Sequence, residues 1–292
     1  MNQIKTNSIS TDSVCPKTGK LKYSLTNDYM FRAILQTNEY VLRNLIASLL
    51  HLEETKIHKV EILNPIKIGE SIEDKEFQLD IYILLNDASM MNLEMQVVNY
   101  GNWKERSLSY MCRGFDNLKK GDDYINVKPV VHISFLNFSL SELLPEFYGT
   151  YYMMNEKTHQ VYSDKLRLSV VNLEHIELAT EIDKKYHIHE WAALFKATTW
   201  EELSMLSEKN DFFREAAESY HSLSEEAKVR YQCEAREDYY RTHANLWKQL
   251  NQQKQQLDKQ QQQLNDQQQL LSEKDCRIAE LERKLAERKG ID

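Results

Sequence analysis

Residues 77–98 read FQLDIYILLNDASMMNLEMQVV, and the alternation inside this stretch decides the fold class. Leu79, Ile81, Ile83 and Leu85 recur at every second position, with Gln78, Asp80 and Tyr82 between them. A strand over Phe77–Leu85 therefore turns an apolar face one way and a polar face carrying Asp80 the other. A second strand over Met91–Val98 divides alike, with Leu93, Met95 and Val97 against Glu94 and Gln96. If Asn86, Asp87 and Ala88 form the turn, Leu85 pairs with Ser89 and Asp80 lies opposite Glu94. Cross-strand neighbours have Cβ atoms roughly 5 Å apart, where like charges repel unless something offsets them. A divalent cation does so: Mg²⁺ takes a few hard oxygen ligands and keeps waters, and Asp80, Glu94 and the backbone carbonyl of Met95 would supply them beside a substrate phosphate. The other reading is a polar sheet face in a different register, on which the acids never meet.

Outward from the hairpin, helical periods flank the strands. Before it, Met30, Phe31, Ile34 and Leu35 give way after Asn38 to Val41, Leu42, Leu45, Ile46, Leu49 and Leu50, which predicts two helices packed on the sheet. Val60–Ile68 reads as a further strand. After the hairpin, Trp103–Lys120 reads as a helix that Gly121 stops, and Val127–Leu136 as an apolar strand. On that helix Arg106, Tyr110 and Arg113 fall one above another, with Lys104 beside them. The stripe suits contact with the phosphates of DNA; it is also what a solvated helix face looks like.

Composition bounds these readings. A chain of 292 residues, 41% hydrophobic and 28% charged, buries one substantial core and has length left over. Its formal charge of -8 offers nucleic acid no general attraction, so phosphate contact needs a local basic stripe. Cys15, Cys112, Cys233 and Cys276 lie far apart with no CxxC pair, against a structural zinc site or a disulfide framework. No apolar run is long enough to span a membrane, and the first twenty residues are polar, so a cytoplasmic protein is expected. Seven glycines and four prolines leave few turns and imply long helices.

The boundaries expected are an arm over 1–22, an α/β domain over 23–185, a helical extension over 186–240 and a coiled coil over 241–287. Residues 141–180 carry short Tyr-rich strands that extend the domain. His187 and His189 do not share a helix face and read as surface or packing residues rather than a zinc pair. In the tail, Leu250, Leu257, Leu264, Leu271, Ile278 and Leu285 recur every seven residues, while Gln253, Gln260 and Gln267 occupy the complementary positions. One apolar residue per heptad implies modest association, most simply a homodimer; the alternative is a helix packed on its own domain.

In order and spacing, Leu25-Thr26-Asn27-Asp28-Tyr29-Met30-Phe31-Arg32, Asp74-Lys75 ahead of Leu79-Asp80, Leu93-Glu94-Met95-Gln96, Glu105-Arg106-Ser107-Leu108-Ser109-Tyr110, and Lys120-Gly121-Asp122-Asp123-Tyr124 before Pro129-Val130-Val131 resemble the Rpn-like recombination-promoting nucleases and related transposases of the PD-(D/E)XK superfamily. The resemblance is strong over roughly the first half of the chain. It implies a restriction-endonuclease-like α/β core with a mixed sheet flanked by helices, Mg²⁺-dependent cleavage of DNA with Mn²⁺ as a substitute, and metal ligands at Asp80 and Glu94. Gln96 departs from the superfamily, which places a lysine there; its amide can orient a water or contact a phosphate but brings no charge. Lys75 could substitute only through a bulge, because five residues from Asp80 it points to the opposite face. Asp28 either approaches the metal from the first helix, as an acid does in many nucleases of this fold, or caps that helix. Two functions stay open: a DNA endonuclease oligomerised by its tail, and a catalytically weak or idle DNA-binding or interaction protein that keeps the fold.

Overall fold

The computed structural model describes residues 15–66, 81–140 and 143–289. Helix α1 (Asp28–Thr37) begins where the Asn27 side chain accepts from the amides of Tyr29 and Met30, donors that no helical carbonyl can reach. Asn38 ends α1 and caps α2 (Glu39–Leu50) by accepting from the Val41 amide. Both helices bury the apolar stripes read from the sequence.

Strand β1 (Val60–Ile62) ends before residues 63–66 of the expected Val60–Ile68, whose last two residues lie outside the described ones. The chain leaves the ladder because α1 takes hold of it. Arg32 donates to the Asn64 carbonyl, and the Gln36 side chain exchanges hydrogen bonds with the backbone of Ile66. Strands β2 (Ile81–Leu85) and β3 (Ser89–Gln96) form the expected hairpin, with Leu85 opposite Ser89 and Ile81 opposite Leu93. Asn86 and Asp87 sit at φ 51° and 57°, the left-handed pair whose twist matches the strands. The Asn86 side chain also accepts from the amides of His58 and Lys59, which ties the turn to the segment before β1. Residues 77–80, Asp80 among them, lie outside the described residues, as does Lys75.

Helix α3 (Trp103–Phe115) ends short of the expected Lys120. Asn117 bonds both to the Gly114 carbonyl and to the backbone of Lys128, and so draws the chain off the helix axis. Gly121, at φ 96°, serves the next turn instead of stopping the helix. Strand β4 (Val130–Leu136) runs parallel to β3. The Tyr-rich segment forms two long strands rather than several short ones: β5 (Tyr148–Met154) and β6 (Val161–Asn172), antiparallel to each other, with β6 parallel to β4. The strand order is β1-β2-β3-β4-β6-β5, a mixed sheet with β3 and β4 at its centre.

Short helix α4 (Glu181–Lys185) precedes α5 (Ile188–Lys196), α6 (Trp200–Ser207) and α7 (Asp211–Glu225). With α1 and α2, the last three bury one face of the sheet. Phe31, Phe135 and Phe195 meet there at centroid separations of 5.7, 5.2 and 5.0 Å, and buried Trp191 donates its indole N–H to the Ser48 hydroxyl at 3.0 Å. The segment read as a helical extension thus shares the core of the sheet. Part of the segment read as an arm is anchored as well: the Leu21 amide donates to the Thr198 carbonyl, and the Trp200 amide to that of Gly19, both at 2.8 Å.

Helix α8 (Ala227–Lys289) is 63 residues long. Chain contacts divide the molecule within it, one unit ending at Tyr240 and a second starting at Arg241. In the second unit Leu250, Leu257, Leu264, Leu271, Ile278 and Leu285 are exposed. No helix among the described residues is long and apolar enough to cross a membrane. All four cysteines are free thiols.

The other face of the sheet meets α3 at Gly114, where an added Cβ would lie 2.7 Å from the Tyr82 hydroxyl and 3.2 Å from Val130 Cγ1. Gly114→Ala trades a helix-propensity gain of up to about 1 kcal/mol against overpacking of about 1–3 kcal/mol. Urea denaturation should show a net loss of about 1 kcal/mol. In a Tyr82→Phe background, which removes the clashing oxygen, the same change should be neutral or stabilising.

Candidate metal and nucleic-acid site

The even-numbered side chains of β3 point toward α3. Asn92, Glu94 and Gln96 are all buried there, Glu94 to 2% exposure. The polar face read from the alternation is covered, because Trp103 from α3 packs with Leu136, Phe138 and Val170 over its far side. Buried polar atoms need partners, and the parallel register with β4 supplies them by setting Asn92 beside His132 and Glu94 beside Ser134. The Asn92 amide lies 2.9 Å from His132 Nδ1, and His132 Nε2 lies 2.9 Å from the Ser134 hydroxyl. Ser134 donates to Glu94 Oε2 at 3.3 Å. Fully buried His132 and Ser134 were missed in the sequence reading; their signal is two polar residues at alternate positions of an otherwise apolar strand.

The remaining oxygen of Glu94 faces α3, where Arg106 Nη2 lies 2.8 Å from Oε1. The Arg106 guanidinium also lies over the Tyr110 ring, 5.2 Å from its centroid. The basic stripe is therefore not one uniform surface. Arg106 turns in toward the acid and Tyr110 is half-buried beside it, while Lys104 and Arg113 stay exposed.

Asp28 is not the cap of α1, since Asn27 holds that position. Its carboxylate is buried and gripped by a fork: Arg236 Nε donates to Oδ1 at 2.9 Å and Arg236 Nη2 donates to Oδ2. Such two-point pairing is the strong form of a charge-assisted bond. Arg236 comes from the first turns of α8, where Val229, Cys233 and Arg236 form a buried helical stripe and the Asn27 amide donates to the Cys233 carbonyl at 3.0 Å. Its guanidinium lies 4.8 Å from the Tyr239 ring centroid and 5.0 Å from that of Tyr240. Burial works against the charge on Arg236, and the hydrogen bonds and charge of Asp28 outweigh it, so its pKa moves up. Burial first, then the Asp28 charge, holds the Tyr240 hydroxyl well above its usual pKa. Burial and the neighbouring Tyr239 push Tyr100 up to about 12. Arg236 also escaped the sequence reading, because Glu234-Ala235-Arg236-Glu237-Asp238 looks like a solvated charge run.

These groups converge. Asp28, Glu94, Met95, Gln96, Arg106 and Arg236 line one cavity of about 70 Å³. Gln96 donates its amide to the Val98 carbonyl at 2.8 Å. Hard oxygen donors on two buried carboxylates suit a divalent cation such as Mg²⁺, so the chemistry of the donor set fits one, although a guanidinium now answers each acid. Among the described residues no three His, Cys, Asp or Glu side chains group as metal ligands. His187 Nδ1 lies 2.6 Å and His189 Nε2 4.0 Å from the Glu190 carboxylate, which also accepts from Lys209 at 3.1 Å.

The family described as PD-(D/E)XK nuclease family transposase matches residues 25–250. No curated protein and no solved structure matches the chain.

Removing one partner of a buried ion pair strands the other charge, at about 3–5 kcal/mol. Arg106 keeps 28% of its side chain exposed, so Arg106→Leu should destabilise by about 3 kcal/mol, the lower end of that range, read from urea denaturation. The double variant Arg106→Leu/Glu94→Gln should recover most of the loss. A single variant within about 1 kcal/mol of wild type, the scale of a surface ion pair, would contradict the pairing.

Proposed function

The chain belongs to the PD-(D/E)XK nuclease family of transposases, and on that premise we propose that it is a divalent-cation-dependent DNA endonuclease whose reacting centre is the cavity around Glu94. The observation that carries this reading is the placement of Glu94 itself. A carboxylate lies buried on a central strand, with Gln96 two residues on along the same face and Asp28 facing the same cavity. The described hairpin register ends at Ile81 opposite Leu93, the immediate sequence neighbours of Asp80 and Glu94. That register is the one from which the sequence reading takes Asp80 as the second carboxylate.

Asp80, Glu94 and the Met95 carbonyl would hold Mg²⁺, or Mn²⁺ in its place, with Asp28 as a further acid. When bound, the ion offsets charge on the nonbridging phosphate oxygens and lowers the pKa of an attacking water. The residues of the chain do the rest. His132 and Ser134 orient the Glu94 carboxylate through its Oε2. Gln96, its amide group tied to Val98, has its carbonyl oxygen left to accept a hydrogen bond that orients a water, and Lys75 is the remaining candidate for a positive charge. Lys104 and Arg113, on the exposed side of α3, contact DNA phosphates, and Arg106, stacked over Tyr110, lines the cavity. The exposed leucine heptads of residues 241–287 pair two chains as a homodimer, which would present two such centres to DNA in the cytoplasm.

One observation favours the idle interaction protein as a second reading: Arg106 and Arg236 already neutralise Glu94 and Asp28. Nicking of supercoiled DNA in Mg²⁺ or Mn²⁺ separates the two. The wild type should nick, and Glu94→Ala should lower the rate by about 10²–10³-fold, the scale of losing one charge-stabilising group at a reacting centre. Equal nicking by both proteins would remove Glu94 from the reaction. Truncation after Leu246 should bring the mass measured by light scattering down to that of one shortened chain, and a mass of two shortened chains would assign oligomerisation to another surface.

A further inference from the structure

We infer that Arg236 is a built-in occupant of the cation site, so that α8 holds Asp28 closed and a divalent cation engages Asp28 only once the first turns of α8 let go. The inference rests on the metal reading of this cavity and adds its regulation.

Both Asp28 oxygens are taken, one by Arg236 Nε and one by Nη2. A cation at the remaining lone pairs would stand against a guanidinium inside the same cavity of about 70 Å³. That space holds a few waters, not a hydrated divalent ion beside a second positive group. Repulsion between two cations at such range is strong wherever water is scarce. Guanidinium and metal ion are therefore alternative partners of one carboxylate.

The guanidinium cannot leave by losing its proton, because an arginine stays charged throughout the physiological range. It has to move as a charged group, and what holds it is specific. The Tyr239 and Tyr240 rings flank it, and Tyr240 accepts from Nη2 at 3.4 Å. Asn27, at the foot of α1, donates to the α8 backbone at Cys233, and the Tyr23 hydroxyl donates to Glu234 at 2.8 Å. The Asn27 and Tyr23 contacts, like the Asp28 fork, join one short stretch of α8 to the segment that starts α1, whereas Tyr239 and Tyr240 belong to α8 itself. Withdrawal of the turn that carries Arg236 frees Asp28, while Glu94 keeps its own partners on β4 and α3. An arginine serving only as a structural buttress would have no such exchange with a metal ion.

The test uses the full chain, Mn²⁺ alone and no DNA, with free Mn²⁺ counted by electron paramagnetic resonance. Arg236→Gln should bind Mn²⁺ about 10- to 100-fold more tightly than wild type, the range over which a ligand's hydrogen-bond partner tunes metal affinity. The gain should vanish when the same change is made in an Asp28→Asn background. Unchanged or weaker binding by Arg236→Gln, or an equal gain without Asp28, would overturn the inference. Because the variant could also fail to fold, hydrogen exchange on the wild type provides a second reading. Saturating Mn²⁺ should speed exchange over residues 229–240, and unchanged or slower exchange there counts against the gate. Glu94→Ala keeps the two claims apart. If it abolishes Mn²⁺ binding while Arg236→Gln changes nothing, the metal site stands and the gate falls. If no variant binds Mn²⁺, both fall.

Discussion

A carboxylate at the centre of a sheet has to be answered by positive charge or by hydrogen bonds from every side, and Glu94 receives both. Arg106 reaches it from α3, and Ser134, backed by His132 and Asn92, reaches it from the neighbouring strand. Much of the architecture follows from keeping that group paired. The parallel β3–β4 register puts Ser134 beside it, and the close approach of α3 at Gly114 brings the Arg106 turn over the sheet. Burying an ion pair is a poor route to stability, because desolvation offsets most of the attraction. Its presence in the middle of the sheet therefore asks for a reason other than stability, which the proposed cation site would supply.

The hairpin was legible in the sequence because period-two alternation and a turn rich in Asn and Asp are local signals. Leu85 opposite Ser89 needed nothing beyond the chain itself. What alternation could not reveal is what lies on top of a face. The Asn92, Glu94 and Gln96 side reads as polar, yet it is covered, because α3 and an apolar patch from distant strands close over it. The helix end at Phe115 and the strand end at Ile62 were misjudged for a related reason. Asn117, Arg32 and Gln36 redirect the chain with side-chain bonds to partners far away in sequence. Asp28 and Arg236, 208 positions apart, could be joined only by the fold.

That long-range pair also changes how the candidate site reads. The acids inferred as ligands occur in the structure as partners of arginine, so the same cavity can be described as a cation site with its charge already balanced. The two descriptions are compatible if the guanidinium groups are exchangeable, Arg106 toward phosphate and Arg236 toward solvent as α8 shifts. On this view Gln96 needs no charge of its own, since Arg106 lines the same cavity.

The central claim is that Glu94 is a cation ligand, and diffraction from crystals of the full chain soaked in Mn²⁺ tests it most directly. The account predicts an anomalous difference peak within coordination distance of a Glu94 oxygen, inside the cavity shared with Asp28 and Gln96. Well-ordered density for Glu94 still paired with Arg106, with Mn²⁺ peaks elsewhere or absent, would contradict it.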